Sequence, residues 1–292
     1  MGGRTIDRRA NPGGRVFGAL ALPADSKVAG ARIIDAMLSR IPLSRIGTAE
    51  ASKAACAAIR HARAQLDTMR CRGPGDFATH EMACALADFA LGDHAGLYVR
   101  LTSARAMGDD AFMSAGTLMV VLNTGWLMPA RDLAADALDR YPDDACVLRQ
   151  VANVYLCGLE FRPAIEVLST LFDLAERSGA TDEMKWRLAS ELMQLGALVE
   201  RVDEAMLDER ALVVQVQLAI DVACEAGHAI IGLEWRAAGS GGAAIEMGID
   251  ASARRCERLA ARLAEVLDAY VDRRARQIVT IVYRSYRNDA VR

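Results

Sequence analysis

From about residue 78 to residue 226, apolar residues recur at the three-to-four spacing of amphipathic helices, and short clusters of Gly, Pro, Asn or Asp interrupt them. The breaks read "GDH" at 92–94, "GDD" at 108–110, "NTGWLMP" at 123–129, "YPDD" at 141–144, "CGLEFRP" at 157–163 and "RSGATDE" at 177–183. Between them lie helices of roughly 12 to 15 residues, an ordinary globular length. Upstream, 31–41 and 48–71 also read as helices. Thr48 stands in an N-cap position for the second, and "CRGPGDF" at 71–77 breaks it. Residues 1–30 are Gly- and Arg-rich without periodicity and read as a flexible tail.

Beyond 226 the period changes. "HAIIGLEWRAA" and "AAIEMGID" alternate on either side of "GSGG", which predicts a β-hairpin. "DASARRCERLAARLAEVLDAYVDRR" then puts Cys256, Leu259, Leu263, Val266, Leu267 and Tyr270 on one helical stripe, and "QIVTIVYRSY" predicts a third strand. The expected architecture is therefore mainly α: a helical body over 31–226 and a small C-terminal α+β domain, ββαβ, over 227–292. The free edge of such a sheet offers self-association by pairing with a second chain.

The helical body also repeats. A shift of 34 residues places Ala164 on Ala130 and Leu171 on Ala137; Gly158 falls one residue before the place that corresponds to Gly125. Ala152 and Tyr155 sit in the first helix of the second unit, and Pro142 ends the second helix of the first. Small alanines let paired helices approach. Tyr155 and Leu168 fill the space between neighbours. Pro142 lacks an N–H and must end its helix, and Asp143 and Asp144 suit the positive end of the next one. This pattern resembles the tetratricopeptide repeat over about residues 78–178, with 181–226 as a further or capping pair. The first unit, 78–110, fits through Ala85, Gly92 and Ala104 after a one-residue shift. The resemblance implies a superhelical array of antiparallel helix pairs whose concave groove receives a peptide or helix of another protein. By that resemblance Arg149, Gln150 and Asn153 are the polar first-helix positions that could face the groove.

Composition and charge narrow the setting. The 52% hydrophobic share rests on Ala, Leu and Val, with only 5% aromatics, which favours helices. A net charge of −3 argues against nucleic acid or a membrane as the partner of the whole molecule. Basic residues are arginine except Lys27, Lys53 and Lys185, as a GC-rich, bacterial genome would produce. Seven scattered cysteines, an odd number, fit reduced thiols in a cytoplasm. "VFGALALPA" at 16–24 is broken by Gly18 and Pro23 and is short for a signal peptide, and no stretch is apolar enough to span a bilayer.

Candidate chemistry is sparse, and the chain is read as non-enzymatic. His80 and Cys84 share a helical face in "HEMAC", with Glu81 between them, but the metalloprotease helix needs a second His where Cys84 stands. Without further ligands nearby, Cys84 is read as packing among Ala83, Leu86 and Ala87, and neither metal nor cofactor is expected. "GSGG" at 239–242 lacks the helix and Lys of a phosphate loop, and no Gly-x-Ser-x-Gly elbow occurs. Asp109–Asp110 and Asp143–Asp144 read as helix caps, and Trp126, Trp186 and Trp235 as packing residues. An enzyme site would need convergence of groups such as His228, Glu234 and Asp250. From Arg254 onward ten arginines face five acids. Arg273, Arg274, Arg276, Tyr283, Arg284, Tyr286 and Arg287 form the alternative, a nucleic-acid surface of stacking rings and phosphate-holding guanidinium groups. The leading expectation is protein binding, as an adaptor, regulator or chaperone.

Overall fold

The computed structural model describes residues 57, 59–61, 63–68, 74–91, 94–107, 110–238, 242–249 and 251–285. The expected tail at 1–30, the helix at 31–41, Thr48, the hairpin tip at 239–241, Asp250, Tyr286 and Arg287 lie outside the described residues. The chain is mainly helical with a three-stranded sheet near its C-terminus. In chain order the helices are α1 (Pro74–Leu91), α2 (His94–Met107), α3 (Ala111–Asn123), α4 (Leu127–Arg140), α5 (Ala145–Cys157), α6 (Phe161–Arg177), α7 (Asp182–Glu204) and α8 (Glu209–Glu225). Strands β1 (Ile230–Ala238) and β2 (Gly242–Ile249) follow, then α9 (Ala253–Tyr270), α10 (Arg273–Ile278) and β3 (Val279–Ser285). Among the described residues no helix is long and apolar enough to cross a membrane.

The breaks in the sequence are caps and turns. Asp110 accepts from the Met113 N–H at 2.8 Å, and Asp144 accepts from the Cys146 and Val147 N–H groups, both at 2.9 Å. Tyr141, before Pro142, leaves helical geometry at φ −133 and ψ 56, as the proline ring requires of its predecessor. Pro129 and Pro163 each take the third position of their helix, α4 and α6, where the missing N–H has no intrahelical acceptor to lose.

Among the described residues, five helices end in the same left-handed turn. The residue at positive φ is Gly125, Leu159, Gly179, Met206 or Gly227, and in each turn the residue after it donates its N–H back to a carbonyl in the last turn of its helix. Leu159 stands 34 residues after Gly125 and takes the same left-handed turn position. Leu159 keeps its strained φ because its side chain lies in the core. Met206 has no such return: its side chain is 82% exposed at φ 51. Met206→Gly is therefore expected to stabilise the fold by about 0.5–1 kcal/mol, relief of left-handed strain less the added entropy of the unfolded chain. Urea unfolding at constant m-value measures it.

The helices stack in sequence from α3 to α7, α3 packing on both α4 and α5, α5 on α6, and α6 on α7. The succession then breaks. α8 makes its main contacts with α9, β1 and β3 instead of with α7. The sheet has the order β1-β2-β3, with β1 and β2 antiparallel and β2 and β3 parallel. The parallel pairing follows from the crossover through α9 and α10. Ala243, Ile245, Met247 and Ile249 alternate inward from the central strand β2. They join one hydrophobic core that runs from Leu66 in the helical part to Tyr283 in β3, so the sheet is packed into the body. The apolar stripe of α9 holds through Leu267, but Tyr270, expected on it, is exposed, because the helix ends there.

Candidate functional site

Strand β1 crosses the C-terminal ends of α3 and α5. The Leu233 N–H donates to Asn123 Oδ1 at 3.0 Å, and Asn123 Nδ2 donates to the Met119 carbonyl at 2.7 Å. On the same strand the Cys157 thiol lies 3.7 Å from the Leu233 carbonyl, and the Trp235 N–H also bears on its sulfur. These helix-borne side chains occupy the outer hydrogen-bonding groups of β1 at Leu233 and Trp235, the part of a sheet edge that would otherwise recruit another strand. The outward face of the sheet is charged. Glu234 lies opposite Glu246, and Arg236 bridges them at 3.0 and 3.4 Å. Arg284 adds a contact to Glu246 at 3.1 Å. Like carboxylates face to face cost stability unless such a cation sits between them.

The residues read from the resemblance separate in space. Arg149 donates to Glu191 of α7 at 2.7 Å and stays partly exposed. Gln150 is only 3% exposed, with Asn153 Nδ2 at 3.4 Å from its carbonyl oxygen. That burial, on the apolar side of α5, takes Gln150 out of any contact surface. The C-terminal arginines have partners within the chain, and Arg274 and Arg284 stay exposed while paired. Arg274 is held by Asp272 and by the Ala205 carbonyl, Arg276 by Asp268, and Arg284 by Glu246. Arg273 is exposed. Tyr283 is 6% exposed and donates its hydroxyl to the Ala219 carbonyl at 2.7 Å, so its ring presents no face to a base. Burial also pushes the Tyr283 phenol well above its usual range.

A nucleophile would need a lowered pKa, and the thiols move the other way. Among the described residues, Cys84, Cys146, Cys157, Cys224 and Cys256 form no disulfide. Burial pushes Cys84 up to about 11 and Cys157 up to about 12, the latter helped by Glu234, and it raises Cys146, Cys224 and Cys256 as well. Burial also raises the Glu160 carboxyl, against the opposing pull of Arg131 at 2.7 Å. Glu234, named with His228 and Asp250 as a marker of an enzyme site, is tied to Arg236 on the sheet face. A shallow hollow between α3 and α4, lined by Met113, Thr117, Leu133 and Arg140, has room for little more than a water molecule, and the Thr117 hydroxyl is already given to the Met113 carbonyl.

Two features were not anticipated from the sequence. Trp186 was expected to pack, yet it is 71% exposed, and so is Met193 one heptad further along α7. Trp126 is exposed too. The tryptophan alone gave no signal, because both faces of α7 are apolar and nothing local says which will be covered. The second feature is a buried polar cluster around α1. Arg100 contacts both Glu81 and Asp88, Arg63 contacts Asp88 and Asp67, and His80 contacts Glu81. Comparison with family models, with curated proteins and with solved structures gives no match to this chain.

Proposed function

We propose that this chain is a non-catalytic protein-binding protein, an adaptor, regulator or chaperone on tetratricopeptide-like repeats, and that it captures an amphipathic helix of its partner along α7. The observation that carries the reading is the pair Trp186 and Met193, a heptad apart on one face of α7 and each 71% exposed. The opposite face of α7 is already buried through Leu188, Leu195 and Val202. Contiguous exposed apolar surface of this kind marks interaction sites, and Trp is the residue most enriched among their anchors. Ala189 and Ala197, both exposed, alternate with the two large side chains, and a Cβ on Gly196 would meet nothing within 4 Å. A seam of alternating large and small positions accepts the side-chain knobs of a second helix. The face is open because α8, which follows α7 in the chain, packs on the sheet and α9 instead.

The repeat reading is supported by the 34-residue register of Ala130 with Ala164, Pro129 with Pro163, and the left-handed residues Gly125 and Leu159. In that reading α7 is the first helix of the fourth or capping pair, and first helices are where the resemblance assigns partner contact; Arg149 touches it through Glu191.

The test is capture from native lysate by the full chain and by a Trp186→Ala/Met193→Ala variant, with and without nuclease, read by mass spectrometry. The expected result is one protein recovered at near-equal amount, indifferent to nuclease and reduced at least tenfold by the double substitution, since anchor truncations typically cost about 2 kcal/mol or more. Recovery unchanged by the substitution would remove α7 as the contact. Recovery that collapses with nuclease would move the function to the C-terminal arginines.

A further inference from the structure

Cys84, His80 and Glu81 lie on one helical arc of α1, and their ligand atoms all fall within 4.8 Å of one another. His80 Nδ1 is 3.2 Å from Glu81 Oε1 and 3.9 Å from Cys84 Sγ. Zinc-type bonds of about 2.0–2.1 Å to N and O and about 2.3 Å to S spread tetrahedral donors roughly 3.3–3.8 Å apart. The His80–Glu81 pair stands near that separation, while Cys84 Sγ lies almost midway between the two ring nitrogens, 3.8 Å from Nε2 and 3.9 Å from Nδ1.

The hydrogen bonding of the ring supplies an independent reason to place a cation there. His80 Nε2 lies 2.9 Å from the Leu66 carbonyl, an acceptor, so Nε2 carries the hydrogen. Nδ1 is then the ring nitrogen that faces the Glu81 carboxylate, at 3.2 Å, and a proton or a metal ion lies between the two. A backbone carbonyl on the far ring nitrogen is also the usual outer partner of a metal-binding histidine, because it fixes the tautomer and the ring orientation. Glu81 has a comparable outer partner in Arg100, whose Nη1 is 3.1 and 3.3 Å from its two oxygens.

We infer that His80 Nδ1, a Glu81 oxygen and Cys84 Sγ form a site for one borderline divalent metal ion of the zinc class. Mixed nitrogen, oxygen and sulfur donors suit that class over magnesium or calcium. The fourth tetrahedral position would fall to water. Binding displaces the Cys84 proton to solvent. The inference is independent of the protein-binding reading above.

The full chain, reduced with a non-chelating phosphine, is titrated with Co2+ and then with Zn2+ at neutral pH. The expected result is one Co2+ per chain with a thiolate-to-cobalt charge-transfer band, and displacement by Zn2+. Cys84→Ser removes the band, and His80→Gln weakens Zn2+ binding at least tenfold, with helix content by circular dichroism unchanged. A band that survives in Cys84→Ser places the metal on other thiols and overturns the site. No band in the wild type, together with no rise in melting temperature on adding Zn2+, also overturns it. The wild-type measurement stands by itself if either variant fails to fold.

Discussion

Gly125→Val is expected to lower the stability of the chain by about 2–5 kcal/mol, the sum of left-handed backbone strain of about 1–2 kcal/mol and overpacking of about 1–3 kcal/mol. Gly125 sits at φ +78, and a Cβ there would lie 2.8 Å from Ile230 Cδ1 and 3.1 Å from Ile230 Cβ. Ile230 opens β1 and is buried, so the valine pushes on the first residue of the docked sheet. Gly179 separates the two contributions. It has φ +69 in the same kind of turn, but nothing lies within 4 Å of its Cβ position. Gly179→Val should therefore show the backbone part alone. The difference between the two variants in urea unfolding measures how tightly the sheet is held against the ends of α3 and α5. Equal losses would mean that Ile230 yields freely and that β1 is not locked at its start.

Arg100→Met is expected to cost about 3–5 kcal/mol, as breaking one side of a buried ion pair does. Arg100 Nε donates to Asp88 at 2.8 Å while Nη1 reaches Glu81, so one guanidinium holds two carboxylates that are each almost buried. Methionine keeps much of the stem volume and removes the charge. Asp88 retains Arg63 at 3.0 Å, but Glu81 is left with only His80 among the contacts described here. A double-mutant cycle with Glu81→Gln apportions the loss, because removing both partners should cost less than the sum of the single changes. A loss below about 1 kcal/mol for Arg100→Met, the level of an exposed pair, would show that water reaches this cluster.

The arrangement of helices was legible in the sequence because its signals are local. Asp110 and Asp144 cap the helices that their positions suggested, and the turns at Gly125, Pro142 and Gly179 fall where the breaks in periodicity lie. The hairpin, the following helix and the third strand were legible for the same reason: strand alternation and helical stripes depend only on the residues within each element. Leu159 was not legible. A leucine at positive φ is locally unfavourable, and it is tolerated only because the side chain is buried among residues far along the chain.

Candidate sites were less legible than elements, and the reason is physical. Periodicity tells which face of a helix is apolar, but it does not tell which neighbour will cover that face. Gln150 looked like a surface position and is buried on α5; Trp186 looked like a core residue and is exposed on α7. The arginines near the C-terminus looked like a cluster free to grip phosphate, and folding gives Arg274, Arg276 and Arg284 carboxylate partners. The pairing of Arg63 and Arg100 with Asp88 joins residues 25 and 12 positions away in the chain, which no local pattern encodes. By itself the sequence determined the helices, their caps and the succession of hairpin, helix and third strand, since these follow from backbone propensity and side-chain spacing. Only the tertiary structure decided that α8 packs on the sheet, that one face of α7 stays open, and that His80, Glu81 and Cys84 face a carbonyl and two guanidinium groups, because those outcomes depend on which distant surfaces bury each other.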